Sequence, residues 1–587
     1  MPKIRFFLAA LLVALPWLNP FVPNPSPTVV PWLVSLGCAG TLLLVVPGRK
    51  PPQWGGWVFM IFCGFFLLHW RLQGGRYGAE LMGMLAALTV FWGSVTAGLG
   101  MVNIEFQCRA EGGNTPHIPH QSLSWLAFTW LAVALISCTF GLLQYFGWAE
   151  SLRPWVNQPL HLGEAFANLR QRNQFATLTS IGLVALLGIL LQPGWLGRNA
   201  PAPETRFPKW AYGAMALLAL GNAASGSRTG LLEWLLLLAC TVWWNWPARR
   251  FVAVFAVQTI IVYFLAVVAL PWVFQIFNGV AVDGVFDRIT NSEGCLSRKI
   301  LWSNVVMLIL EKPWFGWGWG GLDYAHFIGF FPSSRFCQIV DNAHNLPLHL
   351  AVEFGIPAAL MICSFIMWLV WNSKPWREVD HVRQMIWGVL AVIMLHSLLE
   401  FPLWYGAFQI TFGLCVGILW GGSGKFSMSG LVVSAKKIEN IKQALEYRMQ
   451  KFTVVLAVLC LVMMVAGGAS YYHVRQIYIP LGQRDYDYRD DTLSKVQSTL
   501  LFPDQARFAL LMSVGVVNSG NAQEVYLLAK ELMYYSPEAP VVEKLIDSAI
   551  ILGRDEEVKI YKSRFLVAFP GDYAKWILKI GGKKSVE

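Results

Sequence analysis

The sequence predicts an all-α, polytopic integral membrane protein that ends in a helical tail. Three observations predict it. Of the 587 residues, 56% are hydrophobic and only 13% charged, and the mean hydropathy is +0.49, which excludes a soluble globular protein. Apolar runs recur at 6–22, 28–47, 55–71, 79–101, 124–146, 174–195, 209–225, 230–246, 251–274, 347–371, 384–400, 403–421 and 453–471. Most reach the roughly 20 residues that a helix needs to cross the hydrocarbon core, and the window rule gives about thirteen spans. Beyond residue 472 charged residues return and the apolar positions take a helical period.

The elements follow in order. The first run, with Lys3 and Arg5 before it, lacks a small-x-small cleavage site and leads through Pro20–Pro27 into another span, so it reads as a retained first helix. Basic residues then cluster in alternate short loops: Arg49 and Lys50; Arg198, Arg206 and Lys209; Arg249 and Arg250; Lys374, Arg377 and Arg383. Lys425, Lys436, Lys437, Lys442, Arg448 and Lys451 continue the series. The positive-inside rule makes that side cytoplasmic. The net charge of +11 is then topology and anionic-lipid contact, and there is no basic nucleic-acid-binding module.

The domain organisation follows: 1–274, N-terminal transmembrane helices with an outer loop at 147–173; 275–343, a large outer loop; 344–471, C-terminal transmembrane helices; 472–587, an outer helical domain. In a bacterium with two membranes that outer side is the periplasm.

Eight cysteines (Cys38, Cys63, Cys108, Cys138, Cys240, Cys363, Cys415, Cys460) lie in or beside spans, where free cysteine behaves as a small hydrophobe. Cys295 and Cys337 both fall in the large outer loop, an oxidising site, and are the candidate disulfide. There is no CxxC pair, HExxH or spaced Cys/His cluster, so no metal is expected. In the tail, Leu501-Phe502-Pro503, Tyr535-Ser536-Pro537 and Phe569-Pro570 recur at close to the length of a tetratricopeptide unit. Asn518–Asn521 and Leu552–Asp555 mark equivalent turns. The tail is a stacked helix–turn–helix repeat or an irregular helical cap.

Residues 344–355, His-Asn-Leu-Pro-Leu-His-Leu-Ala-Val-Glu-Phe-Gly, place an imidazole at the mouth of an apolar run beside the large loop. Titratable groups at that depth are functional candidates, against the reading of a snorkelling interfacial histidine. Read as a helix, His344, Leu348, Val352 and Gly355 share one face, with His344 at the water boundary.

This stretch resembles the signature of the O-antigen ligase superfamily: His, Asn or Ser, two free positions, Leu, six free positions, Gly, met by His344, Asn345, Leu348 and Gly355. Residues 168–177 (Asn-Leu-Arg-Gln-Arg-Asn-Gln-Phe-Ala-Thr), after Tyr145–Trp148, resemble the segment typical of bacterial protein O-oligosaccharyltransferases of the PglL type. His396–Tyr405 resembles the final outer turn of that type. The resemblance implies transfer of a glycan from an undecaprenyl diphosphate donor on the outer face of the inner membrane, without a metal or other cofactor.

Such chemistry needs a pocket for an anionic diphosphate, a group to help an acceptor hydroxyl lose its proton, and a groove for lipid. Arginine suits the first, because its planar fork binds phosphate oxygens bidentately and stays charged. The outer side offers Arg170, Arg172, Arg228, Arg288, Arg298 and Arg335. Arg228 lies in Ser225-Gly226-Ser227-Arg228, a tight turn between two apolar runs that either holds an anion or marks a helix end. An arginine in a Ser-x-Ser-Arg turn recurs in the superfamily that this chain resembles. Arg298, with Trp302 after it, sits where ligases and polymerases often carry a second functional arginine. Gly316-Trp317-Gly318-Trp319-Gly320-Gly321 resembles the Gly-alternating loop ahead of the superfamily histidine, as a sugar-facing loop or an interfacial aromatic belt.

The sequence therefore leads to these expectations. His344 is the general base or acceptor-orienting residue, since an unperturbed imidazole titrates near operating pH. Arg228 and Arg298, helped by Arg170 or Arg172, hold the diphosphate. Gln174, Tyr405, Asn345 and His349 position acceptor or sugar. The acceptor is a serine or threonine of an exported protein such as a pilin. An O-antigen ligase or polymerase, with a sugar hydroxyl or lipid A-core as acceptor, is the alternative. A transporter of lipid-linked sugars would show paired broken helices, which the sequence lacks.

Overall fold

The computed structural model describes residues 2–22, 26–46, 53–72, 78–111, 121–192, 207–245, 249–282, 294–332, 334–421, 435–497, 499 and 501–584. Arg49, Lys50, Arg198, Arg206, Arg288 and Lys425 lie outside the described residues, as do the side chains of Lys3, Cys108, Lys436, Lys437, Lys442 and Arg448. The structure is all-helical, 77% helix with no strand among the described residues.

Each of the predicted apolar runs falls on helix. In chain order these are α1 (Pro2–Leu18), α2 (Val29–Val45), α3 (Gln53–Leu72), α4 (Gly78–Glu111), α5 (Gln121–Tyr145), α6 (Arg172–Leu191), α7 (Lys209–Ser225), α8 (Arg228–Asn245) and α9 (Arg250–Asn278). Within the stretch 275–343 lie α10 (Arg298–Glu311) and α11 (Leu322–Ile328), and after it come α12 (Leu346–Phe354), α13 (Ile356–Ser373), α14 (His381–Ser397), α15 (Gly406–Gly421) and α16 (Ala435–Arg475). Among the described residues six helices are long and apolar enough to cross a membrane: Met82–Val102, Leu123–Tyr145, Arg172–Leu191, Arg250–Asn278, Ile356–Arg377 and Lys451–Tyr478. Shorter apolar helices lie at Ile4–Leu18, Val29–Val45, Met60–His69 and Gly406–Gly421.

One expected run is divided. The stretch 347–371 breaks at Gly355 into α12 and α13, and α12 begins only at Leu346, so His344 stands ahead of the helix and not on its face. The reason is local: Asn345 takes the cap position, its Oδ1 accepting from the Leu348 amide at 3.1 Å.

The chain divides into two compact units that cut across the linear segments. The first contains 1–60, 86–291 and 368–465. Its centre is α6, buried along nearly its whole length and packed by α5, α7, α8 and α14, which accounts for its apolar residues on every face. Helices approach closely where side chains are absent. A Cβ on Gly417 of α15 would lie 2.1 Å from the Val95 carbonyl oxygen of α4, the small-residue contact usual between helices in lipid.

The second unit contains 61–85, 292–367 and 466–587. Its tail consists of α17 (Thr492–Val496), α18 (Pro503–Ser513), α19 (Ala522–Leu532), α20 (Ala539–Ile551), α21 (Asp555–Ala568) and α22 (Pro570–Lys584). The two predicted turns, 518–521 and 552–555, separate α18 from α19 and α20 from α21. Phe327 of α11, in the loop 275–343, is buried in the same apolar cluster as Leu532, Val542, Leu545 and Phe565 of the tail. Loop and tail thus share one core, which a linear division of the sequence does not convey.

Candidate functional site

In the first unit, the turn between α7 and α8 begins with Gly226 in the left-handed region at φ 60°. Ser227 then caps α8: its Oγ accepts from the Gly230 amide at 3.1 Å and donates to Asn173 Oδ1 at 2.7 Å. The Asn173 amide nitrogen donates to Glu400 Oε1 at 3.0 Å. One buried-side amide on the first turn of α6 therefore ties together the start of α8 and the segment after α14.

Arg228 is the first residue of α8 and its side chain is exposed. Arg172 is likewise the first residue of α6 and Arg298 the first of α10. Each has a side-chain cap immediately before it: Gln171 Oε1 accepts from Gln174 N at 2.8 Å, and Ser297 Oγ from Ile300 N at 3.4 Å. A cation at a helix N-terminus opposes the macrodipole, so its placement is unfavourable until an anion joins it. The same amide ends are ready-made for phosphate.

The loop before α6 is held by buried side-chain amides. Gln144 donates to the carbonyls of Asn157 (2.6 Å) and Ala167 (2.8 Å) and accepts from the amides of Phe166 (3.0 Å) and Ala167 (2.7 Å). Asn168 donates to the carbonyls of Leu18 (2.9 Å) and Trp155 (3.0 Å). Within that frame Arg170 is exposed and left-handed at φ 60°, a conformation costing a non-glycine residue roughly 1 kcal/mol or more. Arg172 pairs with Glu164 at 3.4 Å. Gln174 is buried, and its Nε2 has no hydrogen-bond partner among the described residues. Tyr405 is half-buried and stacks on Phe401, ring centroids 6.0 Å apart.

In the second unit, His344 is half-buried and left-handed at φ 49°. Its amide donates to Asn342 Oδ1 at 2.9 Å, and the carbonyl of the preceding Ala343 accepts from Trp302 Nε1 at 3.1 Å. Trp302 is one turn along α10 from Arg298, so α10 positions both the arginine and the backbone before the histidine. His349 is fully enclosed. Its Nδ1 accepts from the Ala343 amide at 3.5 Å, which leaves the Nε2 hydrogen facing Glu353 Oε2 at 3.4 Å.

The glycine–tryptophan loop wraps the end of α12. Trp317 N and Gly318 N donate to the carbonyls of Val352 (2.8 Å) and Glu353 (3.0 Å), and Gly320 N donates to Glu353 Oε1 at 3.0 Å. A Cβ on Gly316 would sit 2.3 Å from the Glu353 carbonyl oxygen, and one on Gly355 2.2 Å from that of Trp314. The glycines allow backbone to meet backbone, so this loop is a helix clamp. The Sγ atoms of Cys295 and Cys337 are bonded, with their Cα atoms 5.4 Å apart, inside the usual disulfide range. An apolar cavity of about 280 Å³ is lined by Phe65, His69, Trp314, Phe315, Phe354 and Met361.

Residues 213–363 match the family described as O-antigen ligase, residues 165–187 that described as protein glycosylation ligase, and residues 384–579 that described as virulence factor membrane-bound polymerase, C-terminal. These matches support a PglL-type member of the O-antigen ligase superfamily. It is similar to a general O-oligosaccharyltransferase of Acinetobacter baylyi (strain ATCC 33305 / BD413 / ADP1), 23% identical over 307 residues, 50% of each chain. It is also similar to a ComP-specific O-oligosaccharyltransferase of the same organism, 25% identical over 282 residues, 47% of each chain. The chain thus spans about half the length of the curated relatives that it matches.

The protein glycosylation ligase match covers Arg170, Arg172, Asn173 and Gln174, and the O-antigen ligase match covers Arg228, Arg298, His344, Asn345 and His349. The first unit gathers Arg170, Arg172, Gln174, Arg228 and Tyr405; the second gathers Arg298, His344, Asn345, His349 and the two cysteines.

Sequence reasoning did not single out a buried network behind Arg228. Thr177 Oγ1 donates to Glu233 Oε1 at 2.5 Å and Ser180 Oγ to Glu233 Oε2 at 2.6 Å. Thr177 Oγ1 also lies 2.7 Å from His396 Nδ1, within hydrogen-bond distance. The signal was present: Glu233 is an acid inside the apolar run 230–246, and ionisable residues there are rarely idle.

Proposed function

We propose that this superfamily member is a protein O-oligosaccharyltransferase of the bacterial inner membrane, with about thirteen spans and a periplasmic active site. It moves a glycan en bloc from undecaprenyl diphosphate to a serine or threonine of an exported protein such as a pilin. The observation that carries this is the coincidence of the protein glycosylation ligase segment with the turn that bears Arg170 and Arg172 and, through Asn173, fixes the cap of α8 ahead of Arg228. Arg228, Arg170 and Arg172 hold the diphosphate in the first unit, and Arg298 of the second is a further candidate anion partner; Arg228, Arg172 and Arg298 each stand beside helix-start amides that favour the same charge. As the glycan leaves for its acceptor, the departing diphosphate gains charge that these groups stabilise.

His344 accepts the acceptor hydroxyl's proton, its left-handed backbone and the Asn342 contact setting the imidazole ahead of α12. Asn345 fixes that approach by capping the helix, and His349 braces it against Glu353. Gln174 and Tyr405 contact acceptor or sugar. The apolar cavity beside Phe354 takes part of the lipid chain. The Cys295–Cys337 disulfide restrains the outer loop, and the paired helices of the tail form a tetratricopeptide-like docking surface. Peptide mass spectrometry under non-reducing conditions tests the disulfide: both cysteines recovered as alkylated free thiols would remove it.

The second reading, an O-antigen ligase or polymerase, draws on the matches to those two families over 213–363 and 384–579. Purified enzyme, lipid-linked oligosaccharide and either pilin or lipid A-core decide between them. Glycan appearing on pilin supports the first reading; glycan on lipid A-core or on a growing polymer alone supports the second.

A further inference from the structure

Two guanidinium groups of the second unit lie together without a counter-charge among the described residues. Arg335 comes from the outer loop and Arg564 from α21 of the tail. Arg335 is held from both sides by Asn304, which donates to the Ser334 carbonyl at 3.0 Å and accepts from the Phe336 amide at 2.9 Å. Its guanidinium lies over Phe331 at 5.3 Å, while that of Arg564 lies over the adjacent Phe330 at 5.6 Å. Neither arginine is ion-paired to a carboxylate among the described residues. Burial and then the neighbouring charge of Arg564 push the Arg335 pKa down to about 10.

Arg564 Nε is buried and has no hydrogen-bond partner among the described residues. Arg335 Nη2 donates to the His326 carbonyl at 2.7 Å and approaches His326 Nδ1 at 3.4 Å. With Nδ1 turned toward Arg335, this fully buried imidazole packs beside the guanidinium and its Nε2 points away from it. Two neighbouring cations and a buried Arg564 donor without an acceptor are unfavourable, and an oxyanion would satisfy both guanidinium groups.

We propose that Arg335 and Arg564 form a binding site for a carboxylate, that of an acidic sugar in the transferred glycan. Planar guanidinium forks match a carboxylate bidentately. Phe330, 63% exposed beside them, offers an apolar face to the sugar ring. The identity of the ligand as a sugar rests on the glycosyltransferase reading; the anion chemistry does not.

The test is binding alone, with the full chain in lipid nanodiscs and ligand-observed NMR. Methyl β-D-glucuronide binds, and the neutral methyl β-D-glucoside binds more weakly by roughly tenfold or more, the loss of one charge-assisted contact. Arg335→Gln and Arg564→Gln each produce a loss of similar size at an unchanged thermal midpoint. Should Arg335→Gln fail to fold, the half-buried Arg564 variant carries the test. Equal binding of the two glycosides, tighter binding of inorganic phosphate than of the glucuronide, or unaltered binding in folded variants overturns the proposal. Because no transfer is measured, a chain that binds the glucuronide yet transfers nothing contradicts the proposed activity and leaves this site standing.

Discussion

Ser227 Oγ donates to Asn173 Oδ1 at 2.7 Å, so the cap of α8 is held by a side chain 54 positions earlier in the sequence. Arg228 stands on the next residue, and its guanidinium inherits its place from this bond.

Asn173→Ala removes that acceptor and the donor to Glu400 together. Leaving buried polar groups without this partner costs about 1–3 kcal/mol. We expect a lower thermal midpoint and a raised KM for the lipid-linked donor. An unchanged KM in a folded variant would show that Asn173 does not position the arginine.

Arg228→Ala abolishes transfer while membrane expression persists, because the exposed guanidinium supports no core packing. Arg228→Lys rescues poorly, since the bidentate fork is lost. Near-normal glycosylation by the lysine variant would reduce Arg228 to a topological charge.

His344→Ala leaves little or no product, a general base contributing roughly a hundredfold to ten-thousandfold. His349→Ala retains turnover per folded molecule but loses stability, because His349 is enclosed and braces Glu353. Specific activity measured against folded protein separates the two, and the reverse pattern would reassign the base.

Gly355→Ala is expected to prevent normal folding of the second unit. The residue holds φ 89° and ψ 163°, a region open essentially to glycine alone, and a Cβ would meet the Trp314 carbonyl at 2.2 Å. Native-like yield and thermal midpoint in the variant would refute the clamp.

Stability also depends on pH through His326. Its burial first, and the charge of Arg335 second, push its pKa down to about 3. The unfolded chain takes up this proton near pH ~6.5 and the folded chain does not, so the unfolded state binds more protons between those values. The contribution is complete above that upper value and is lost as pH falls toward the lower. The thermal midpoint should drop between pH 7.5 and 5, and His326→Gln should flatten the drop; an identical slope in the variant would remove His326 as the cause.

The periodicity of apolar residues by itself determined the helices and their order, because a helix in hydrocarbon must satisfy every backbone group internally and so announces itself as a long apolar run. The short signature around His344 and the segment around Arg172 were legible for the same local reason: turns, caps and glycines are written in adjacent residues. The tertiary structure alone decided what those residues meet. Asn173 and Ser227, Arg335 and Arg564, and Gly316 and the end of α12 are brought together by helix packing and loop closure. The partner of a buried polar group is chosen by whichever distant helix presents the matching donor or acceptor, and no spacing along one segment encodes that choice.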